Sequence, residues 1–318
     1  MTIDNLDPKC VWKNFYALTQ IPRPSKKEWR AVDFMENFGR NLGLETIRDE
    51  VGNIIIRKPA TPGMENRKGV ILQGHLDMVP QNNNDVQHDW ENDPVETWID
   101  GEWVKAKGTT LGADNGLGCA VAMAVLESND LVHGPVEALF TIDEETGMTG
   151  AKALKGGILK GDILVNLDSE TEGELYVGCA GGLDTDAEFS YKSEPVSKDT
   201  DQYRIIIKGL RGGHSGMEIN EGRANSNKLM ARLLLPLLRD FKGELISIEG
   251  GNMRNAIPRE AEAVVALPKK KAAKALKAIN AAVADMEHEY APIDPGLEVL
   301  VEKTKGARRI IPTDVALN

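Results

Sequence analysis

The chain has 318 residues, 41% hydrophobic and 27% charged, which is ample apolar material for a core and excludes intrinsic disorder. Acidic residues outnumber basic ones 49 to 38, a formal charge of −11, so the chain gains little from a phosphate backbone and no nucleic-acid partner is expected. No apolar run is long enough to span a bilayer, the N-terminal MTIDNLDPKCVWKN lacks a signal pattern, and Cys10, Cys119 and Cys179 form no C-x-x-C pair; a cytoplasmic protein without a membrane partner is expected.

Ser25 and Glu28 have capping-box spacing ahead of a predicted helix over Lys26–Leu42. Apolar runs predict strands at Asn53–Arg57 and Val70–Gln73, a buried helix at Asn115–Glu127, and interior strands at Val136–Ile142 and Ile163–Leu167. This alternation favours a layered α/β domain. Cys119 and Cys179 lie among small and apolar residues and read as buried thiols. Near Asp184–Lys198 the composition turns polar, which places a boundary between a first domain, 1–185, and a second, 186–318. In the second, Tyr203–Lys208, Glu244–Ile248 and Ala261–Ala266 predict strands, and Arg223–Leu238 and Lys269–Glu289 predict helices, the first kinked or ended by Pro236. The basic run Lys269–Lys271 opens an Ala/Lys-rich helix and reads as a solvated face.

The acidic residues and histidines of the first region sit at strand and loop ends. Val70–Gln73 runs into Gly74-His75-Leu76-Asp77, and Gly112-Ala113-Asp114 precedes the Ala-rich helix. Val136–Ile142 runs into Asp143-Glu144-Glu145, and Ile163–Leu167 into Asp168-Ser169-Glu170. Sites in open α/β sheets form outside the carboxyl ends of the strands, so the four stretches are expected to converge. Singly, each has a structural reading: His75 a core histidine, Asp114 an Asx-turn residue, Glu144–Glu145 a solvated loop, Asp168 a helix cap. Together they point to a metal. Imidazole and carboxylates without thiolates suit zinc, with cobalt or manganese as substitutes. The acids exceed the needs of one catalytic zinc, which favours a pair of ions sharing one carboxylate and one water. Asp77 fits a carboxylate behind a ligating imidazole, and a cation relieves the repulsion between Glu144 and Glu145.

His75-Leu-Asp77-Met-Val-Pro, Gly112-Ala-Asp114-Asn-Gly, Asp143-Glu144-Glu145-Thr-Gly and Asn166-Leu-Asp168-Ser-Glu resemble the M20 metallopeptidases. Gly178-Cys-Ala-Gly-Gly182 and Gly251-Asn-Met-Arg-Asn-Ala-Ile-Pro-Arg259 resemble the aminoacyl-histidine dipeptidase (peptidase D, carnosinase-like) subgroup, and the match runs in order over essentially the whole chain. The resemblance implies an α/β zinc-peptidase catalytic domain, a mixed sheet flanked by helices, with an inserted α/β sandwich lid domain that forms a homodimer. It implies that His75 and Asp168 bind one zinc and Glu145 the other, with Asp114 bridging and a cis peptide after it. Asp77 would orient His75, and Glu144 would be the general base. Gly212-Gly-His214-Ser-Gly216 matches a lid motif, which implies that His214 stabilises the oxyanion and that Asn255 and Arg254 contact the substrate's ends. The implied reaction is hydrolysis of dipeptides, Xaa-His among them.

In that family the chain returns from the lid to the catalytic domain and supplies a last histidine to the second zinc. Here the sequence runs to Ala307-Arg-Arg-Ile-Ile-Pro-Thr-Asp-Val-Ala-Leu-Asn318, and His88, His133 and His288 lie in polar loops or at a solvated helix end. The expectation is a C-terminally shortened chain, with the returning catalytic segment absent, an incomplete second zinc position and weak or no activity. Three other readings stand beside the dipeptidase. One is a related M20 deacylase or aminopeptidase. Another is a serine hydrolase around Ser215, against which Met217 occupies the last glycine position of a nucleophile elbow. The third is a non-catalytic homologue, against which the other acidic positions are all present.

Overall fold

Three consecutive isoleucines, Ile54 to Ile56, are all fully buried, which requires a strand covered on both faces. The computed structural model describes residues 2–317 apart from Glu170, Glu172, Cys179, Ala180, Gly182 and Asp184. The expectation for Cys179 therefore lies outside the described residues. The chain divides into two units, Met1–Gly181 and Gly182–Asn318.

In the first unit a short turn at Ile3–Asn5 leads into α1 (Lys9–Thr19) and α2 (Trp29–Asn41). Strands β1 (Glu45–Arg48), β2 (Ile54–Lys58) and β3 (Val70–His75) follow, then a hairpin of β4 (Thr97–Asp100) and β5 (Trp103–Ala106). Helix α3 (Ala113–Glu127), β6 (Val136–Thr141), the short helices α4 (Glu144–Gly147) and α5 (Thr149–Ala153), and β7 (Ile163–Asn166) complete it. The sheet order is β1-β2-β6-β3-β7: β1, β2 and β6 are antiparallel neighbours, whereas β3 runs parallel to both β6 and β7. Alternate residues of β2 feed opposite faces. Ile54 and Ile56 pack with Leu18, Met35, Met123 and Phe140 beneath the helices, and Ile55 packs with Ile71, Leu139 and Ile158 on the other side. The layered α/β arrangement is as the alternation of elements predicts, and the mixed sheet flanked by helices is as the resemblance implies.

β7 falls at the end of the strand order and its four residues are exposed among the described residues. One local expectation is corrected. The helix expected over Lys26–Leu42 starts only at Trp29, and Ser25 and Glu28 form no capping box. The Ser25 hydroxyl donates to Asp77 and the Glu28 carboxylate accepts from the Asp143 N–H, so both side chains serve the sheet's carboxyl end instead.

One buried charge pair lies across β2 and β6. Arg57 Nε donates to Glu137 Oε1 at 2.8 Å, and the Lys160 and Gly161 N–H groups donate to Oε2 at 2.7 and 2.6 Å. Burial opposes ionisation of Glu137, but these donors outweigh it and hold its carboxyl below the usual range. Its contribution to stability is thus present above the ordinary carboxylate pKa and lost as pH falls through the lower folded value. Glu137→Ala is expected to destabilise the first unit by about 3 kcal/mol, at the low end for a broken buried pair because Arg57 keeps Glu45. Urea unfolding of the two proteins between neutral and acid pH checks both the size of the loss and its shrinkage in acid.

The second unit holds β8 (Glu194–Pro195), β9 (Thr200–Lys208), β10 (Gly213–His214), α6 (Ser226–Arg239), β11 (Glu244–Gly250), β12 (Ala256–Ile257), β13 (Ala261–Pro268), α7 (Lys269–Tyr290), β14 (Glu298–Thr304), β15 (Arg309–Ile310) and α8 (Thr313–Leu317). Antiparallel strands in the order β11-β13-β9-β14 form its main sheet. Tyr203, Ile205 and Ile207 alternate on β9 and pack against Leu229, Leu233 and Leu237 of α6 and Ala275 and Ile279 of α7. This is a two-layer α/β sandwich. Asn225 caps α6 by accepting from the Lys228 N–H, and the helix continues three residues past Pro236, to Arg239. Among the described residues no helix is long and apolar enough to cross a membrane.

Candidate metal centre

Because β3 runs parallel to β6 and β7, the carboxyl ends of all three strands open on one side of the sheet. Strand β3 ends at His75 and is followed by Asp77; β6 is followed by Asp143, Glu144 and Glu145; β7 is followed by Asp168. The fourth segment arrives at the start of α3. Gly112 there adopts the left-handed conformation at φ +71°, Asp114 is non-helical, and the Asp114–Asn115 peptide is cis. Asn115 Nδ2 donates to Leu167 O at 2.8 Å, which ties this turn to the end of β7.

His75 is 1% exposed and stands at the centre. Its Nε2 lies 2.9 Å from Asp114 Oδ1 and 3.5 Å from Asp168 Oδ1, while Nδ1 faces the Asp77 carbonyl at 3.1 Å and Asp77 Oδ1 at 3.3 Å. His75, Asp114 and Asp168 each bring one ligand atom within 4.8 Å of the others. This donor set fits a cation. With Nδ1–H donating to Asp77, the neutral ring turns the Nε2 lone pair towards two carboxylates, and three acceptors face one another unless a positive charge lies between them. Burial disfavours the imidazolium, but its hydrogen bonds to Asp114, Asp168 and Asp77 outweigh this and raise the His75 pKa.

Asp77 does more than its sequence position indicates. It is fully buried, and burial alone would favour its neutral form, but His75, the Glu144 N–H and the Ser25 hydroxyl hold its pKa down. Its Oδ1 accepts from the Glu144 N–H at 2.9 Å and its Oδ2 from the Glu145 N–H at 3.2 Å and the Ser25 hydroxyl at 2.8 Å. One carboxylate thereby fixes the imidazole and the first turn of α4, which carries the two glutamates. Burial lifts the Glu144 pKa, and burial together with the nearby Asp114 charge pushes Glu145 up to about 8. Glu145 is not among the three residues whose ligand atoms already cluster. Cys119 is buried, as expected, and its thiol donates to the His75 carbonyl at 3.1 Å.

In the second unit His214 is exposed on β10, opposite Ala256 of β12. Its Nδ1 accepts from the Gly216 and Met217 N–H groups at 3.1 and 3.3 Å, so in the neutral ring the proton sits on Nε2. That engagement leaves Nδ1 to the backbone rather than to Ser215. The Ser215 N–H donates to the Asn255 carbonyl at 2.9 Å, which places His214, Arg254 and Asn255 on neighbouring turns. Asp294, 1% exposed, accepts from the Arg211 and Ala224 N–H groups at 2.7 Å each and pins both ends of the His214 loop. Of the other histidines, His288 is exposed on α7, His133 bonds Gly134 O, and His88 packs on Trp90. Sequence reasoning missed Asp294, Ser25, Glu28, Asn115 and Arg23; the only trace of Arg23 is its position between Pro22 and Pro24.

Residues 205–294 match the model of the M20 peptidase dimerisation domain. The chain is 47% identical over 300 residues to the cytosol non-specific dipeptidase of Escherichia coli (strain K12), covering 94% of this chain and 62% of that protein. It superimposes on the crystal structure of the aminoacylhistidine dipeptidase of Vibrio alginolyticus with a TM-score of 0.56 and 44% identity, covering 99% of this chain and 65% of that one. The chain thus spans a little under two thirds of the length of these relatives. The chain thus carries the peptidase dimerisation domain of the M20 type over residues 205–294, and over nearly its whole length it is similar to these two dipeptidases.

Proposed function

We propose that this protein hydrolyses dipeptides, Xaa-His and other short peptides with a free amino end among them, in the cytoplasm and with zinc. The observation that carries the reading is the meeting of His75, Asp114 and Asp168, from three distant stretches, within 4.8 Å. His75 and Asp168 would hold one ion and Glu145 a second, with Asp114 between them, in a catalytic domain over 1–185. Cobalt or manganese would satisfy the same imidazole and carboxylate donors. A bound divalent metal supplies a water of lowered pKa and polarises the scissile carbonyl.

The chain's own residues do the rest. Glu144 takes the proton of the attacking water at its carboxylate and returns it to the leaving amine. Its pKa, lifted by burial, is suited to both halves of that task. The backbone bond from Glu144 to Asp77 keeps it beside the imidazole that Asp77 orients. His214 would stabilise the oxyanion, and Asn255 and Arg254 would hold the substrate's ends, as the resemblance of their motifs implies. A second domain, over 186–318, would act as lid and as the surface of a homodimer, in keeping with the dimerisation-domain match.

A panel of dipeptides and N-acyl amino acids, assayed with and without a chelator, tests the proposal. Dipeptides should be cleaved and the activity should vanish with the chelator and return with zinc. Cleavage of N-acyl amino acids in preference to dipeptides would instead make the protein a deacylase of the same family. Activity indifferent to the chelator would overturn the metal reading.

A further inference from the structure

Arg23 is the largest of the fully buried side chains, at 1% exposure, and nothing in the reaction above uses it. It lies between two prolines in a segment that runs beside the end of β3: the Met78 N–H donates to Arg23 O at 3.1 Å, and Pro24 bridges Met78. The guanidinium reaches two separate site segments. Nη1 donates to the Leu76 and Asp77 carbonyls at 2.9 and 3.1 Å, and Nη2 donates to the Gly112 carbonyl. Leu76–Asp77 follows His75 directly, and Gly112 precedes Asp114 by two residues.

Two glycines make the room. A Cβ at Gly112 or at Gly116 would lie 2.6 Å from Arg23 Nη2, closer than real side chains come. Gly116 has no positive φ, so the guanidinium and the Phe15 ring, rather than backbone conformation, exclude a side chain there. Arg23 also adds a fixed positive charge near Asp77, Asp114 and Glu145. Charge alone would favour the acids but oppose an incoming cation, whereas a planar fork of donors holds two loops at a set separation. The two roles predict different behaviour of lysine.

We propose that Arg23 is a positioning residue of the metal centre, a buried fork that fixes the His75–Asp77 turn against the Gly112–Asp114 turn at the spacing a shared cation needs. The inference rests on the metal-centre reading above. Lysine keeps the charge but offers a point donor that cannot span the three carbonyls. Losing a group that supports ligands from behind costs about 10–100-fold in metal affinity.

The test is zinc affinity, measured by competition with a chromophoric chelator on the wild-type chain, Arg23→Lys, Arg23→Met and Gly116→Ala, with circular dichroism and the metal-free unfolding midpoint recorded for each. Arg23→Lys and Arg23→Met are both expected to bind zinc about 10–100-fold more weakly with wild-type dichroism. Gly116→Ala, which leaves Arg23 in place but displaces its tip, is expected to weaken binding as well, with no further loss in the double variant Arg23→Lys/Gly116→Ala. Zinc affinity of Arg23→Lys within twofold of wild type would overturn the proposal, even if the metal-free midpoint fell, because that is the signature of a purely structural arginine. Should the Arg23 variants not fold, Gly116→Ala decides: undiminished affinity overturns the proposal and a loss supports it. Failure of the wild-type chain to bind zinc at all would refute the metal-centre reading itself, a separate outcome.

Discussion

Replacing Glu144 by Gln is expected to lower dipeptide turnover by about 10²–10⁴-fold while leaving zinc affinity near the wild-type value. The substitution removes one proton-accepting oxygen and changes almost nothing else. The Glu144 N–H, which anchors α4 to Asp77, belongs to the backbone and is retained. The amide has the size of the carboxyl group, and Glu144 is outside the cluster of three ligand atoms. Steady-state kinetics with zinc titration on the same preparation checks it. A fall confined to kcat would mark a group used in the transition state. A parallel fall in zinc affinity would mean that Glu144 is a ligand and that its neighbour Glu145 holds the base role.

Asp114→Ala should behave in the opposite way, losing zinc affinity by more than the hundredfold or so expected for supporting groups, with activity lost as a consequence. Asp114 Oδ1 is the carboxylate oxygen nearest His75 Nε2, at 2.9 Å, and its charge is the main influence on Glu145 after burial. On the proposed assignment it would serve both ion positions. Removing it takes away a ligand from each and lowers the negative potential that holds the pair. The alanine side chain is tolerated in the turn, since Asp114 is only half buried. Zinc titration of Asp114→Ala beside Glu144→Gln supplies the contrast; equal and mild effects of the two would contradict both assignments.

The parts of the site that the sequence made legible are those written in short range. An apolar run followed by an acid or histidine marks a strand end, and parallel β3, β6 and β7 bring such ends together. His75 and Asp168 meet for that reason, and Asp114 joins them from the turn that opens α3. Glu145 stands nearby without joining the cluster. What escaped is written in long range. Ser25 to Asp77 and Glu28 to Asp143 are hydrogen bonds across 52 and 115 residues, and locally the same two side chains have the spacing of a capping box. Nothing in a window of a dozen residues distinguishes the two uses. Arg23 is the same case: an arginine between prolines reads as a surface turn, and only the fold turns it inward onto three carbonyls. Strands β1 and β14 are short or carry charged alternations, EVLVEKT in β14, which gave them no apolar run to find.

The reading depends on a divalent cation lying between His75, Asp114 and Asp168, and anomalous scattering at the zinc edge from crystals grown with zinc tests it most directly. The account predicts a peak about 2.0–2.2 Å from His75 Nε2 and from a carboxylate oxygen of Asp114 and of Asp168. No peak there, with His75 Nε2 still hydrogen-bonded to Asp114 in the presence of the ion, would contradict it.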